Sequence, residues 1–235
     1  MTKKKQNSDG LIGLKVLITG ATSGLGLSIS VALAKEGADI IAVGRDKKGL
    51  EDLSDTIEQT IGSATLVCVD LAKQGTIEEL SQKISETFGE LNLVIHCAMS
   101  SLQMMPISQV SLKEIEINLL SPITICFRLI SCFHGILCSD SKALFVYISD
   151  QRVNKFNGPY NSAKKACEQL LLAYQEENKR LGVNVLIQYP EPMETKLRKK
   201  IFPGKKNIAG DVVNKEAQKI IEKILMLTDR KRIIT

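Results

Sequence analysis

A chain of 235 residues with 44% hydrophobic side chains can bury a sizeable core, and a single domain is the expectation. Its 31 basic and 26 acidic residues leave a net charge of only +5, too mixed a balance to argue for nucleic acid as a partner. Six cysteines and two histidines, with no CxxC pair and no ligand-like clustering, argue against both a disulfide scaffold and a metal site.

The opening "MTKKKQNSDG" is basic, but no apolar stretch of signal-peptide type follows, so residues 1–10 read as a disordered lead-in. No apolar run is read as long enough to cross a bilayer, and with reduced thiols this points to the cytoplasm and away from membranes. From residue 11 onward "LKVLITG" is a short apolar strand, "TGATSGLG" a glycine-rich turn, and "LSISVALAKEGA" a helix ending at Gly37. The rhythm then repeats. "DIIAVGR", "ATLVCVDL" and "LNLVIHCA" read as strands separated by the helices "KKGLEDLSDTIEQTIG" and "TIEELSQKISETFG". Next come one long helix or two in "SLKEIEINLLSPITICFRLISCFHGIL", a strand in "KALFVYIS", a helix in "SAKKACEQLLLAYQEENKRLG" and a strand in "VNVLIQYP". Short apolar strands alternating with helices imply a parallel sheet covered on both faces. The fold class is therefore α/β, a single doubly wound, Rossmann-like domain over residues 11–235 with six or seven strands.

Two features carry chemistry. Gly20, Gly24 and Gly26 follow an apolar strand and precede a helix, which lets the backbone approach a pyrophosphate and aims helix N–H groups at it. The alternative is a tight turn that needs glycine for its dihedrals alone. The spacing is not GxGxxG, and the missing GK[ST] ending argues against an ATPase or GTPase. In "GPYNSAKKACEQ", Tyr160 and Lys164 share a helix face, which suits proton transfer but also arises by chance.

These elements together resemble the short-chain dehydrogenase/reductase family over nearly the whole chain. "TGATSGLG" is similar to its TGxxxGxG motif, Asp70 in "CVDL" to the acidic residue that contacts adenine, and "HCA" at 96–98 to its NNAG element. Asn118 in "EINLL" resembles the helix asparagine of the catalytic tetrad, and Tyr160 with Lys164 the YxxxK pair. The resemblance implies a nicotinamide cofactor held by Thr19, Gly20, Thr22, Ser23, Gly24, Leu25, Gly26, Arg45, Asp70, Leu71, Cys97, Ala98, Pro190 and Thr195, together with Tyr160 and Lys164. It implies no metal. Tyr160 would act as acid or base, its phenol brought below its free pKa of about 10 by the Lys164 ammonium. Lys164 would also hold the nicotinamide ribose, and Asn118 a water-linked relay. Arg45 stands where NAD-preferring relatives place an acid, so NADP(H) is favoured, with NAD(H) as the alternative because Asp46 follows.

Three positions depart from the pattern. The segment "YISDQRVNKFNGPY" is short, so either Ser149 or Asp150 takes the catalytic serine position, and Ser149 is preferred. A carboxylate facing the substrate oxygen would repel its developing charge. Met99 and Glu191 replace glycines beside the nicotinamide and are expected to crowd or reshape that pocket. A substrate loop is expected at about 190–212, with "FPG" resembling bacterial 3-oxoacyl reductase-like members. The family adds a seventh strand after the last helix, and its helices pair into homodimers or homotetramers. The expected activity is hydride transfer between NADP(H) and a small carbonyl or alcohol substrate of acyl-chain, steroid-like or small aliphatic type. The rival is a catalytically impaired member that senses dinucleotide or binds a partner. A membrane-surface or nucleic-acid role for the basic "KLRKKIFPGKK" is the remaining alternative.

Overall fold

The computed structural model describes residues 11–99, 104–140, 142–153, 155–201 and 211–232. The expected lead-in at 1–10 and the FPG stretch at 202–204, with the rest of the expected substrate loop to 210, lie outside the described residues.

Six strands form one parallel sheet: β1 (Lys15–Thr19), β2 (Asp39–Gly44), β3 (Ser63–Cys68), β4 (Leu93–His96), β5 (Leu144–Ile148) and β6 (Asn184–Gln188). Their order is β3-β2-β1-β4-β5-β6. Successive side chains leave a strand on opposite faces, so each apolar strand feeds two cores at once. Val16, Ile18, Ile40, Ala42, Ile95 and Val146 join one core. Leu17, Ile41, Val43, Val94, Phe145 and Tyr147 join the other. The edge strands depart from the expectation of full burial, since β3 is largely exposed and β6 only half-buried.

The first core is closed by α1 (Gly24–Lys35), α2 (Lys47–Ile57) and α8 (Val212–Arg232) through Ile29, Leu33, Leu53, Ile220 and Ile224. The second is closed by α3 (Thr76–Phe88), α5 (Ser121–Cys138) and α6 (Gly158–Glu177) through Leu80, Leu129, Phe133 and Leu171. α2 stops at Ile57, earlier than its sequence suggests, because the chain must return close to β2. A Cβ at Gly62 would lie 2.3 Å from the Ala38 carbonyl oxygen.

The long apolar segment is one continuous helix. A short α4 (Leu112–Ile115), opened by a Ser111–Glu114 capping box, runs through a π turn at Glu116–Leu120 into α5. This corrects one sequence expectation, because Leu112–Cys138 is apolar and long enough, at 27 residues, to cross a membrane. Here one face packs on the sheet, burying Cys126, Leu129, Ile130, Phe133 and Leu137, while Leu120 and Phe127 stay exposed.

Candidate active site

At β1 the winding reverses, since its neighbours are β2 on one side and β4 on the other, and a crevice opens at the carboxyl ends of the strands. The crevice is a cavity of about 610 Å³, within the range of small-molecule and cofactor sites. Its floor is the glycine turn. Gly20 has a φ of 73°, and a Cβ there would lie 2.9 Å from the Ala98 backbone. A Cβ at Gly26 would lie 2.3 Å from the Gly20 carbonyl oxygen. Ser23, the N-cap of α1, makes no side-chain capping bond, so no side chain competes for the first N–H groups of the helix. Thr195 stands over the same turn, with its Cγ2 3.0 Å from where a Gly24 Cβ would be. These residues fit a dinucleotide pyrophosphate. Thr22, Leu25, Leu71, Cys97 and Pro190 line the same cavity. Met99 and Glu191 line it too, and it stays open, so neither side chain closes the pocket.

Thr19 is different. It is fully buried beneath the cavity, where its hydroxyl accepts from Ala98 N at 3.2 Å and pairs with His96 Nδ1 at 2.7 Å. The hydroxyl has one proton and two lone pairs, so the His96 tautomer decides which partner of this pair donates. Burial, and then the nearby Lys164 charge, push the His96 pKa down to about 3.

At the far side of the β2 end, Arg45 lines the cavity and pairs with Asp70 at 3.8 Å, both partners being exposed. Asp46 is occupied otherwise. It caps α2, its carboxylate accepting from Gly49 N at 3.2 Å.

Tyr160 and Lys164 lie on α6 beside the β5 end, with Lys164 Nζ 5.8 Å from the Tyr160 ring centre and 4.8 Å from that of Tyr147. Lys164 is buried and donates to the Ile148 carbonyl at 2.6 Å. Burial lowers its pKa. The expected depression of the Tyr160 pKa is not found. Burial raises it first, the Asp150 carboxylate raises it further, and Arg152 rather than Lys164 opposes them. Asn118 sits on the π turn, buried, with Oδ1 lacking a hydrogen-bond partner among the described residues. A π turn places one residue out of the regular ladder, a device common at functional sites.

Ser149 and Asp150 part company at the end of β5. Ser149 is buried and gives its hydroxyl proton to Glu168, whose carboxylate also takes Lys165 Nζ at 2.8 Å and Tyr189 OH at 3.1 Å. Asp150 forms a forked pair with Arg152 inside the cavity. The loop that follows is tight enough to hold Phe156 at a φ of 70°, a left-handed conformation that strains a bulky residue. Sequence reasoning missed Glu168, Arg152 and Asn157, the last the N-cap of α6, lining the cavity with a buried Oδ1 that has no hydrogen-bond partner among the described residues. For Glu168 a signal existed, since Tyr160, Lys164 and Glu168 recur at four-residue intervals on one helix face.

Known proteins agree with this arrangement. Residues 14–206 match the short chain dehydrogenase family model. An uncharacterized oxidoreductase from Staphylococcus aureus is 26% identical over 201 residues, covering 80% of this chain and 84% of its own. A fatty acyl-CoA reductase from Acinetobacter baylyi is 36% identical over 91 residues, but the match spans only 39% of this chain and 31% of that enzyme. A short chain dehydrogenase from Shigella flexneri, solved in complex with NADP, superposes with a TM-score of 0.81 at 21% identity, covering 94% of this chain and 93% of that one. A six-stranded doubly wound sheet, a glycine turn at its switch point and a family match over most of the length lead to one assignment: the chain belongs to the short-chain dehydrogenase/reductase family.

Proposed function

We propose that the protein is an NADP(H)-dependent reductase acting on a small carbonyl substrate, with Tyr160 as the proton donor. The observation that carries this reading is one continuous cavity with the glycine turn at one end and the Tyr160–Lys164 pair at the other. Bound over Gly20, Gly24 and Gly26, the nicotinamide dinucleotide supplies the hydride. The phenol of Tyr160 gives its proton to the carbonyl oxygen as charge builds there. Burial and the Asp150 carboxylate raise its pKa, so the phenol holds its proton at neutral pH. Lys164, fixed by the Ile148 carbonyl, keeps a cation beside the phenol and is suited to hold the nicotinamide ribose. The unpartnered Asn118 Oδ1 suits a water that returns a proton along this line. Arg45 favours the 2′-phosphate of NADP(H), because Asp46 is committed to its helix cap.

Six free thiols support a reducing, cytoplasmic compartment. Exposed Leu120 and Phe127 on the α5 side and Leu172 on α6 support pairing of these helices in a homodimer or homotetramer. An acyl-chain substrate is one candidate, supported by the partial likeness to a fatty acyl-CoA reductase.

The rival is a dinucleotide-binding member without efficient chemistry, favoured by a specific observation: the Ser149 proton is committed to Glu168. Replacing Tyr160 by Phe separates the two. A reductase loses turnover by about 100-fold or more, the contribution of a positioned proton donor, while NADPH binding persists. Wild-type protein that binds NADPH but turns over no carbonyl compound refutes the reductase reading.

A further inference from the structure

The loop after β5 carries a charge pair that neither the glycine turn nor Tyr160 and Lys164 account for. Three donors of Arg152 converge on Asp150: the backbone N–H at 2.9 Å and Nε at 2.7 Å on Oδ1, and Nη2 at 2.8 Å on Oδ2. A side-on fork of this kind uses Nε–H and one Nη2 hydrogen, leaving Nη1 and the other Nη2 hydrogen on the opposite edge of the guanidinium. The Arg152 side chain keeps 41% of its exposure while that of Asp150 falls to 12%, and both line the cavity. Asp150 is thus the buried anchor and the guanidinium is the presented group.

Its surroundings place it at the substrate end. The Arg152 charge is felt at Tyr160, where it opposes Asp150, and Glu191 acts on it from the same cavity. A clamp for a short, strained loop accounts for the three bonds. It does not account for a guanidinium that lines the cavity and keeps its outer edge accessible there.

We propose that Arg152 selects the substrate, its outer edge binding an anionic oxygen group, carboxylate or phosphate, on the carbonyl compound whose oxygen meets Tyr160. This rests on the reductase reading. Asp150 then has two tasks: it fixes the guanidinium plane, and its own charge is offset by the group it fixes. That offset answers the objection that a carboxylate beside Tyr160 repels the developing oxyanion. Arg198 lines the same cavity and adds a second cation, while Glu191 opposes an anion from the mouth. Selection therefore favours substrates whose anionic group reaches Arg152 and clears Glu191.

The test compares matched pairs with NADPH: 4-oxopentanoate against its methyl ester, and dihydroxyacetone phosphate against dihydroxyacetone. The proteins are full-length wild type, Arg152→Gln, Arg152→Lys, and Asp150→Asn with Arg152→Gln. Wild type is expected to prefer at least one charged member by about 10- to 100-fold in kcat/KM, the worth of a charge-assisted fork. Which pair shows the preference distinguishes carboxylate from phosphate. Both Gln variants are expected to lose the preference through KM, and Arg152→Lys to restore only part, because an ammonium lacks the fork. A preference for the neutral members, or one that survives in both Gln variants, overturns the proposal. Should wild type turn over no member, the reductase reading falls on its own, and calorimetry on NADPH-saturated protein decides the remainder. Binding of 4-oxopentanoate or dihydroxyacetone phosphate that is lost in Arg152→Gln supports the assignment, and no binding overturns it.

Discussion

Lowering the pH from 7.5 to 5.5 is expected to destabilise the fold by about 1.4 kcal/mol through one side chain, His96. The ring lies at the end of β4, nearly fully buried, stacked 5.7 Å from Tyr147 and holding the Thr19 hydroxyl at 2.7 Å. Burial first, and the Lys164 charge second, take its pKa from 6.5 to about 3. Below 6.5 the unfolded chain binds a proton that the folded chain refuses until about pH 3, so stability is full above 6.5 and falls with pH between those values. The slope there is about 1.4 kcal/mol per pH unit, and the step to 5.5 crosses one such unit. The assay is urea unfolding at both pH values, on wild type and His96→Asn. An asparagine amide still pairs with the Thr19 hydroxyl but does not titrate, so the double difference removes what other groups contribute. Wild type should lose about 1.4 kcal/mol more than His96→Asn over this step. A double difference near zero would refute the burial argument. It would also remove the reason for a neutral ring beside the Lys164 cation.

Two further perturbations probe the cofactor end and the frame behind the proton donor. Arg45→Ser should weaken NADPH binding by about 10- to 100-fold while leaving NADH binding nearly unchanged, followed by nicotinamide fluorescence. The chain has no tryptophan, so the signal is the cofactor's own. Equal losses for both cofactors would remove Arg45 as the 2′-phosphate ligand. Glu168→Ala leaves the buried Ser149 hydroxyl without its acceptor, while Tyr189, an exposed residue, loses a bond that water can replace. The expected destabilisation is about 2–3 kcal/mol by urea unfolding, since Lys165, half-exposed, contributes little to it.

The architecture was legible because apolar runs and glycine punctuation carry it. Five strands fall inside the apolar runs read from the sequence, β3 starts one residue before its run, and the helices alternate with them as the periodicity implies. Local geometry was less legible. The π turn at Glu116–Leu120 leaves the apolar period of the surrounding helix intact, so nothing in the sequence marks the extra residue that sets Asn118 apart. The segment Leu112–Cys138 reads as helix, but its length and apolar composition, which suffice for a membrane span, are underread, because composition does not tell a helix that faces lipid from one that packs on a sheet.

The choice between Ser149 and Asp150 shows where the boundary lies. Adjacent residues leaving a strand point to opposite faces, so a register shift of one exchanges which of them meets the substrate. Motif spacing cannot resolve this when the loop itself is shortened. The selector is Glu168, one helical turn beyond Lys164 and 19 residues from Ser149, which takes the serine proton although Ser149 itself lines the cavity. Ser149 and Asp150 both line the cavity, but the Ser149 hydroxyl is engaged by Glu168 while the Asp150 carboxylate is engaged by Arg152 two residues on. The charged loop that looked like a defect in the motif is therefore coupled to a buried carboxylate that the motif never mentions. If that coupling holds, Glu168→Ala should release the Ser149 hydroxyl and loosen the Asp150–Arg152 fork together. The charged-over-neutral substrate preference would then fall in a variant that touches neither residue of the pair.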